Sequence, residues 1–257
     1  MSRLNIARLL VQDRRFEAAK ALFGPLRESL EIKTPERTEE LEGLILATAA
    51  TKGWPAAAAI CKGNIERFPD SPWMWLNKAW IFRFVGDEEE YRQVVTKVLA
   101  LGPSITSTND QHVPVEIAAL GPFSFSTEQV NQLDSLVQAL EAALPERSTD
   151  EQWMGYRAIG HLHLRLGRLR ESLAALEKSA SKRTGLDPYL LLIQAECLRR
   201  LDEHDKARAA FEQAKSAIKL AEPLGEEERF LPAWQVYEQL LVPRETQALL
   251  ADTPPKP

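Results

Sequence analysis

Two stretches in the last third of the chain superimpose at an offset of 35 residues, with Gly160 falling on Ala195. The first reads Tyr156-x3-Gly160…Gly167-x4-Ser172-x3-Leu176, and the second Leu191-x3-Ala195…Asp202-x4-Ala207-x3-Phe211-x2-Ala214. Self-similarity at a period of this length marks a stack of two-helix units, because one hairpin cannot bury its apolar face alone. Small residues are needed where the two helices of a unit cross closely, and Gly160, Ala195 and Ala207 take those places. Leu176 and Phe211 are expected to fill the gap to the next unit.

A hairpin pattern of this period resembles the tetratricopeptide repeat. The resemblance implies an all-α fold: a right-handed superhelical array of antiparallel helix hairpins, an α-solenoid, closed by a C-terminal capping helix. The same template can be laid on the rest of the chain. Near the start, Ala7 and Ala19 fall on crossing positions and Phe23 on the place of Phe211, so the Arg-rich stretch 1–23 reads as part of a repeat that the sequence enters midway. A helical pair is expected over 39–50 and 55–68 around Gly53, with Pro55 suited to a first helical turn. Another unit follows in Trp75-x3-Ala79-x2-Phe82-x3-Gly86, then Tyr91, Val95 and Val98, with Pro103 ending its second helix. Breakers at 102–108 and 121–126 leave room for an irregular pair, about 110–120 and 127–144. Ser126-x2-Gln129 is a capping-box signal for its second helix, and Pro145 follows its last apolar residue. The expected organisation is helical repeats over 1–103, the irregular pair within 104–146, two regular repeats over 147–220, a capping helix over 226–250 and a disordered Pro-rich tail over 251–257.

Composition narrows the function classes. The chain has 257 residues, 44% of them hydrophobic, and a net charge of -5. Phosphate binding relies on a surplus of Lys and Arg, so a nucleic-acid partner is not expected. Cys61 and Cys197 both lie in apolar helical runs and read as buried free thiols, which favours a reducing compartment. Without an apolar run long enough to span a bilayer or an apolar signal-peptide core, the expectation is a soluble, cytoplasmic protein with no membrane partner.

The order of the motifs is more specific than any one of them. Leu76-Asn77-Lys78-Ala79-Trp80…Gly86-Asp87…Tyr91-Arg92 precedes the irregular pair, and Tyr156-Arg157…Leu166-Gly167-Arg168…Glu171-Ser172-Leu173…Leu176-Glu177-Lys178-Ser179 follows it. Next come Ala195-Glu196…Asp205-Lys206-Ala207-Arg208 and Trp234…Leu240-Leu241…Arg244-Glu245…Ala248-Leu249-Leu250. Over roughly 70–250 this order resembles the C-terminal repeat region of the large serine/threonine protein kinases of planctomycete-type bacteria. Two features depart from that pattern: Asp202 and Glu203 stand where a Leu-Gly pair is usual, and Pro243 interrupts the closing helix. The resemblance implies a non-catalytic part of a signalling protein, with a kinase domain in cis or in trans. The chain itself carries no glycine-rich phosphate loop, His-Arg-Asp loop or Asp-Phe-Gly site.

No enzyme, cofactor or metal site is expected from the remaining chemistry. His161 and His163 lie two apart on one helix, facing about 200° apart, and cannot chelate one ion from a regular helix. Asp87-Glu88-Glu89-Glu90 reads as a solvated first helical turn meeting the helix dipole. The informative surface is the concave face lined by the first helix of each hairpin. On it fall Trp73, Trp80, Arg83 and Phe84, then Arg157, His161 and Arg165, then Tyr189, Arg199 and Arg200, beside Leu76, Met154 and Glu196. That face is aromatic at one end and basic at the other, a combination suited to an acidic peptide or protein, since guanidinium forks match carboxylates and aromatics add area at small entropic cost. The competing expectation is a homo-oligomeric, self-associating scaffold without a peptide groove.

Overall fold

The structure is a computed structural model, which describes residues 52–65, 70–105, 110–121 and 124–220 together with positions 18, 21, 45 and 48. Among the described residues it holds nine α-helices and no strand. They are α1 Trp54–Ile65, α2 Pro72–Val85, α3 Glu88–Leu101, α4 Val113–Ala119, α5 Thr127–Ala143, α6 Thr149–Arg165, α7 Leu169–Ala180, α8 Pro188–Arg200 and α9 His204–Leu220. The expected capping helix, the tail, and Ala7, Ala19 and Phe23 lie outside the described residues. Ile45 and Thr48, within the expected 39–50 helix, are helical and buried.

The chain divides into two compact units whose boundary falls inside α3, after Val94. In the first unit α1 packs against α2. Pro72 opens α2, where its missing N–H is no loss, and Gly86 closes it in the left-handed region at φ 77. The middle of α2 is apolar all round, and Met74, Trp75, Leu76, Ala79, Trp80, Ile81 and Phe82 are all buried. Glu88, Glu89 and Glu90 occupy the first turn of α3, as a solvated acidic turn requires.

In the second unit, a 3-10 turn at Gly102–Ser104 follows α3, which ends just short of Pro103. Helix α5 starts at the expected capping box: Ser126 Oγ accepts from the Gln129 N–H at 3.2 Å and Gln129 Oε1 accepts from the Ser126 N–H at 3.0 Å. The same device, Ser148 with Glu151, starts α6. Helices α6 and α7 form one hairpin and α8 and α9 the next. At the first crossing, a Cβ on Gly160 would lie 2.7 Å from Leu176 Cγ, so only glycine fits. Ser172 Oγ donates to the Gly160 carbonyl at 2.6 Å, and Ser179 Oγ to the Trp153 carbonyl at 2.8 Å, stitching α7 to α6 along its length. The turn after α6 uses Gly167 at φ 74, and Asp202 takes the equivalent left-handed conformation at φ 60 after α8. Asp is one of the few residues that tolerate it. The expectation for Leu176 and Phe211 needs correcting: Leu176 sits over Gly160, and Phe211 packs against Leu191, Leu192 and Ala214, so each fills its own hairpin. Cys61 and Cys197 are buried free thiols; burial pushes the Cys197 thiol up to about 11.

Candidate functional site

The predicted site residues separate between the two units. In the first, Trp73 is half-buried, Trp80 is buried at 1% exposure, and the Arg83 guanidinium lies over the Tyr91 ring at 5.6 Å. Phe84 lies in α2, and its side chain is outside the described residues. Buried aromatics of α2 are held from within: Lys78 lies over the Trp75 and Phe82 rings at 5.5 and 5.2 Å and pairs with Glu90 at 3.3 Å. Trp80 and Leu76 are thus core of this unit, which is what an apolar helix face ordinarily becomes.

In the second unit the first helices of the two regular hairpins, α6 and α8, bring together Arg157, His161, Tyr189, Arg165, Arg199 and Arg200, but not as one open surface. Arg157 is only 3% exposed. Its guanidinium carbon stands 4.8 Å from the centroid of the Trp153 ring and 5.0 Å from that of Tyr189, a cation held between two aromatic faces. Two carboxylates face it, Glu116 from α4 at 3.6 Å and Asp187 at 4.0 Å. Asp187 is a hub. Its Oδ1 caps α8 through the N–H groups of Tyr189 and Leu190 at 3.0 and 3.3 Å, while Oδ2 accepts from Trp153 Nε1 at 3.1 Å. Arg183 reaches the same carboxylate at 3.7 Å and covers the Trp153 ring at 4.3 Å. The Tyr189 hydroxyl and His161 Nδ1 share a hydrogen bond of 2.7 Å, with the rings edge to face. His163 points elsewhere: burial and then the nearby Arg168 guanidinium push its imidazole below the usual range.

Glu116 belongs to a seven-residue helix of which every residue is buried. Burial pushes its carboxyl above the ordinary value, and the attraction of Arg157 only partly offsets this. His112 Nε2 stands 3.8 Å from its other oxygen. At the far end of α4, Arg165 donates through Nε to the Ala119 carbonyl at 2.8 Å and reaches the Leu120 carbonyl at 3.5 Å.

The more exposed arginines lie at the end of α8. Arg199 forks onto Glu196 with bonds of 2.9 and 3.0 Å, and Arg200 Nε donates to the same carboxylate at 2.6 Å. Burial works to raise the Glu196 carboxyl, and these charged hydrogen bonds outweigh it and hold the group below its ordinary value. Glu196 is buried while the two arginine side chains are 28% and 38% exposed, so their outer edges face solvent.

Sequence reasoning placed Arg157, His161 and Tyr189 on one helix face but missed Trp153, Glu116 and Asp187, which enclose them. The Asp187-Pro188 pair was readable as a helix start, an acceptor side chain before a first-turn proline. Glu116 carries no local signal, since its partner comes from a distant stretch of chain. Among the described residues no group of three or more His, Cys, Asp or Glu is placed to hold a metal ion, and no helix is long and apolar enough to cross a membrane.

Stacked helix hairpins with tight small-residue crossings and a charged first-helix face define an α-helical repeat protein. The tetratricopeptide repeat family model matches residues 157–221, from Arg157 within α6 through α9, so this stretch carries tetratricopeptide repeat sequence. No curated protein matches the chain.

Proposed function

We propose that the chain is a protein–protein interaction scaffold that binds an acidic peptide or protein segment on the first-helix face of its tetratricopeptide hairpins, in a cytoplasmic serine/threonine kinase signalling system. Tetratricopeptide repeats generally mediate protein–protein interaction and are typically non-catalytic, which supports the general role. The kinase setting rests on the ordered resemblance over 70–250 alone. The observation that carries the acidic specificity is the pair Arg199 and Arg200, partly exposed and pre-oriented by Glu196. Their rotamers are already fixed in the free protein, so less conformational entropy remains to be lost on binding a carboxylate.

Arg157 is the wrong position for a surface charge reversal, because a third carboxylate beside Glu116 and Asp187 would disrupt the interior. Arg200→Glu is the better test. Fluorescein-labelled hexaglutamate, titrated by anisotropy, should bind the unmodified chain saturably and lose about tenfold in affinity with Arg200→Glu, equivalent to about 1.4 kcal/mol. The helical circular dichroism should stay unchanged. Equal binding by both proteins would remove the basic face from the reading.

A further inference from the structure

Helix α4 does not behave as the first helix of a hairpin. In the regular units the first helix packs closely on the second, as α6 does on α7, whereas α4 packs chiefly against α6 and only lightly against the α5 that follows it. It is held on α6 at both ends by arginines that the sequence assigns to the binding face. Arg157 faces the Glu116 carboxylate in the middle of α4, and Arg165 binds the carbonyls of Ala119 and Leu120 at its C-terminus, where a cation also meets the negative end of the helix dipole. A carboxylate in an aromatic-walled arginine seat, with a second arginine gripping the backbone beyond it, is the pattern an acidic peptide would make.

We infer that α4 is an internal ligand, a strap whose Glu116 occupies the Arg157 seat and which an acidic partner must displace to reach it. This rests on the acidic-partner reading above and adds its regulation. Several features make the strap poised to leave. Seven residues are too few for a helix to persist in water, so α4 exists only while docked. Its central carboxylate is fully desolvated, faced by Arg157 on α6 and by His112 at its own start, and it shares Arg157 with Asp187. Desolvation of that ion is incompletely compensated, which lowers the cost of replacing it by a carboxylate from outside. The seat itself survives the exchange, because Trp153, Tyr189 and Asp187 come from α6 and the start of α8 rather than from the strap.

The test is hydrogen exchange by mass spectrometry on the full chain, comparing peptides covering 113–119 and 152–165, with hexaglutamate anisotropy in parallel. Amides of 113–119 should exchange by a local opening, faster than those of α6. Glu116→Lys, which sets a cation against Arg157, should accelerate that opening about tenfold and raise hexaglutamate affinity while α6 exchange is unaltered. Glu116→Gln keeps the shape and removes the buried ion; it should exchange no faster than the unmodified chain. If 113–119 and α6 exchange as one unit in all three proteins, α4 is core and the strap is overturned, whatever hexaglutamate does at Arg200. If the strap opens in Glu116→Lys but hexaglutamate binds neither protein, the acidic-partner reading falls and α4 loses its role as a ligand.

Discussion

Glu116 and Glu196 are both buried acids facing arginines of the first helices, yet their environments act in opposite directions. Glu196 receives charged hydrogen bonds at 2.6 to 3.0 Å from two arginines, enough to outweigh its burial. Glu116 stands 3.6 Å from an arginine it shares with Asp187, too far for a good hydrogen bond, so burial dominates. The signs of their pH dependence therefore differ. A lowered carboxyl contributes stability above the ordinary value of 4.5 and loses it as pH falls through the folded value below 4.5. A raised carboxyl contributes most below 4.5 and loses that contribution as pH rises through the folded value above it. Urea titrations across pH 3 to 8 of the unmodified chain, Glu196→Gln and Glu116→Gln would test this. The advantage of the unmodified chain over Glu196→Gln should shrink with acid below about pH 4.5, whereas relative to Glu116→Gln it should gain as pH is lowered toward 4.5. Parallel slopes for the two comparisons would contradict the assignment. None of this was legible at the residue level in the sequence: Arg157 reads there as a surface arginine, and only the tertiary arrival of Glu116, Asp187 and the Trp153 ring makes it an interior one.

At the scale of the elements, far more could be read in advance, because local chemistry decides it. Gly160 was assigned to a crossing from spacing alone, and an added Cβ would indeed meet Leu176 Cγ at 2.7 Å and the Ser172 carbonyl at 3.2 Å. Ser126 with Gln129 predicted the start of α5 to the residue. What spacing could not convey was which neighbour a buried side chain fills, so Leu176 and Phe211 were sent to the next unit when they complete their own. Nor could it distinguish α4 from the first helix of a hairpin, since a seven-residue apolar run carries too little periodicity to reveal its partner. Two substitutions separate the packing and capping contributions. Gly160→Ala should destabilise by about 1 to 3 kcal/mol in urea unfolding despite the better helix propensity of alanine, because helix backbones must part. Asp187→Ala should cost about 0.5 to 2 kcal/mol through the α8 cap alone and more through Trp153 and Arg157, whereas Asp187→Asn keeps the cap and lies between. An unchanged midpoint for Gly160→Ala would mean the helices are not in close contact there.

For the whole molecule, the division inside α3 makes the second unit the natural candidate for independence. The interactions that define it close within 110–220: α7 is stitched to α6 by Ser172 and Ser179, and α8 is tied to α6 through Asp187 with Trp153 and Tyr189 with His161. On the outer side, Arg168 of the α6–α7 turn holds Asp134 of α5 at 2.9 Å. Strap and arginine face are likewise both internal to this stretch, Glu116 and Arg165 binding one another's helices within it. A polypeptide of residues 110–220 should then fold alone, with a helical circular dichroism spectrum and one cooperative urea transition worth about 5 kcal/mol or more. It should also bind hexaglutamate as the full chain does and respond to Arg200→Glu by the same factor. Full-chain affinity lost in a folded 110–220 would place essential binding residues elsewhere in the chain, the aromatic α2 with Trp73 being the first to examine. A fragment without helical signal would instead show that the two units are not separable in folding, even though the tetratricopeptide match falls almost wholly inside it.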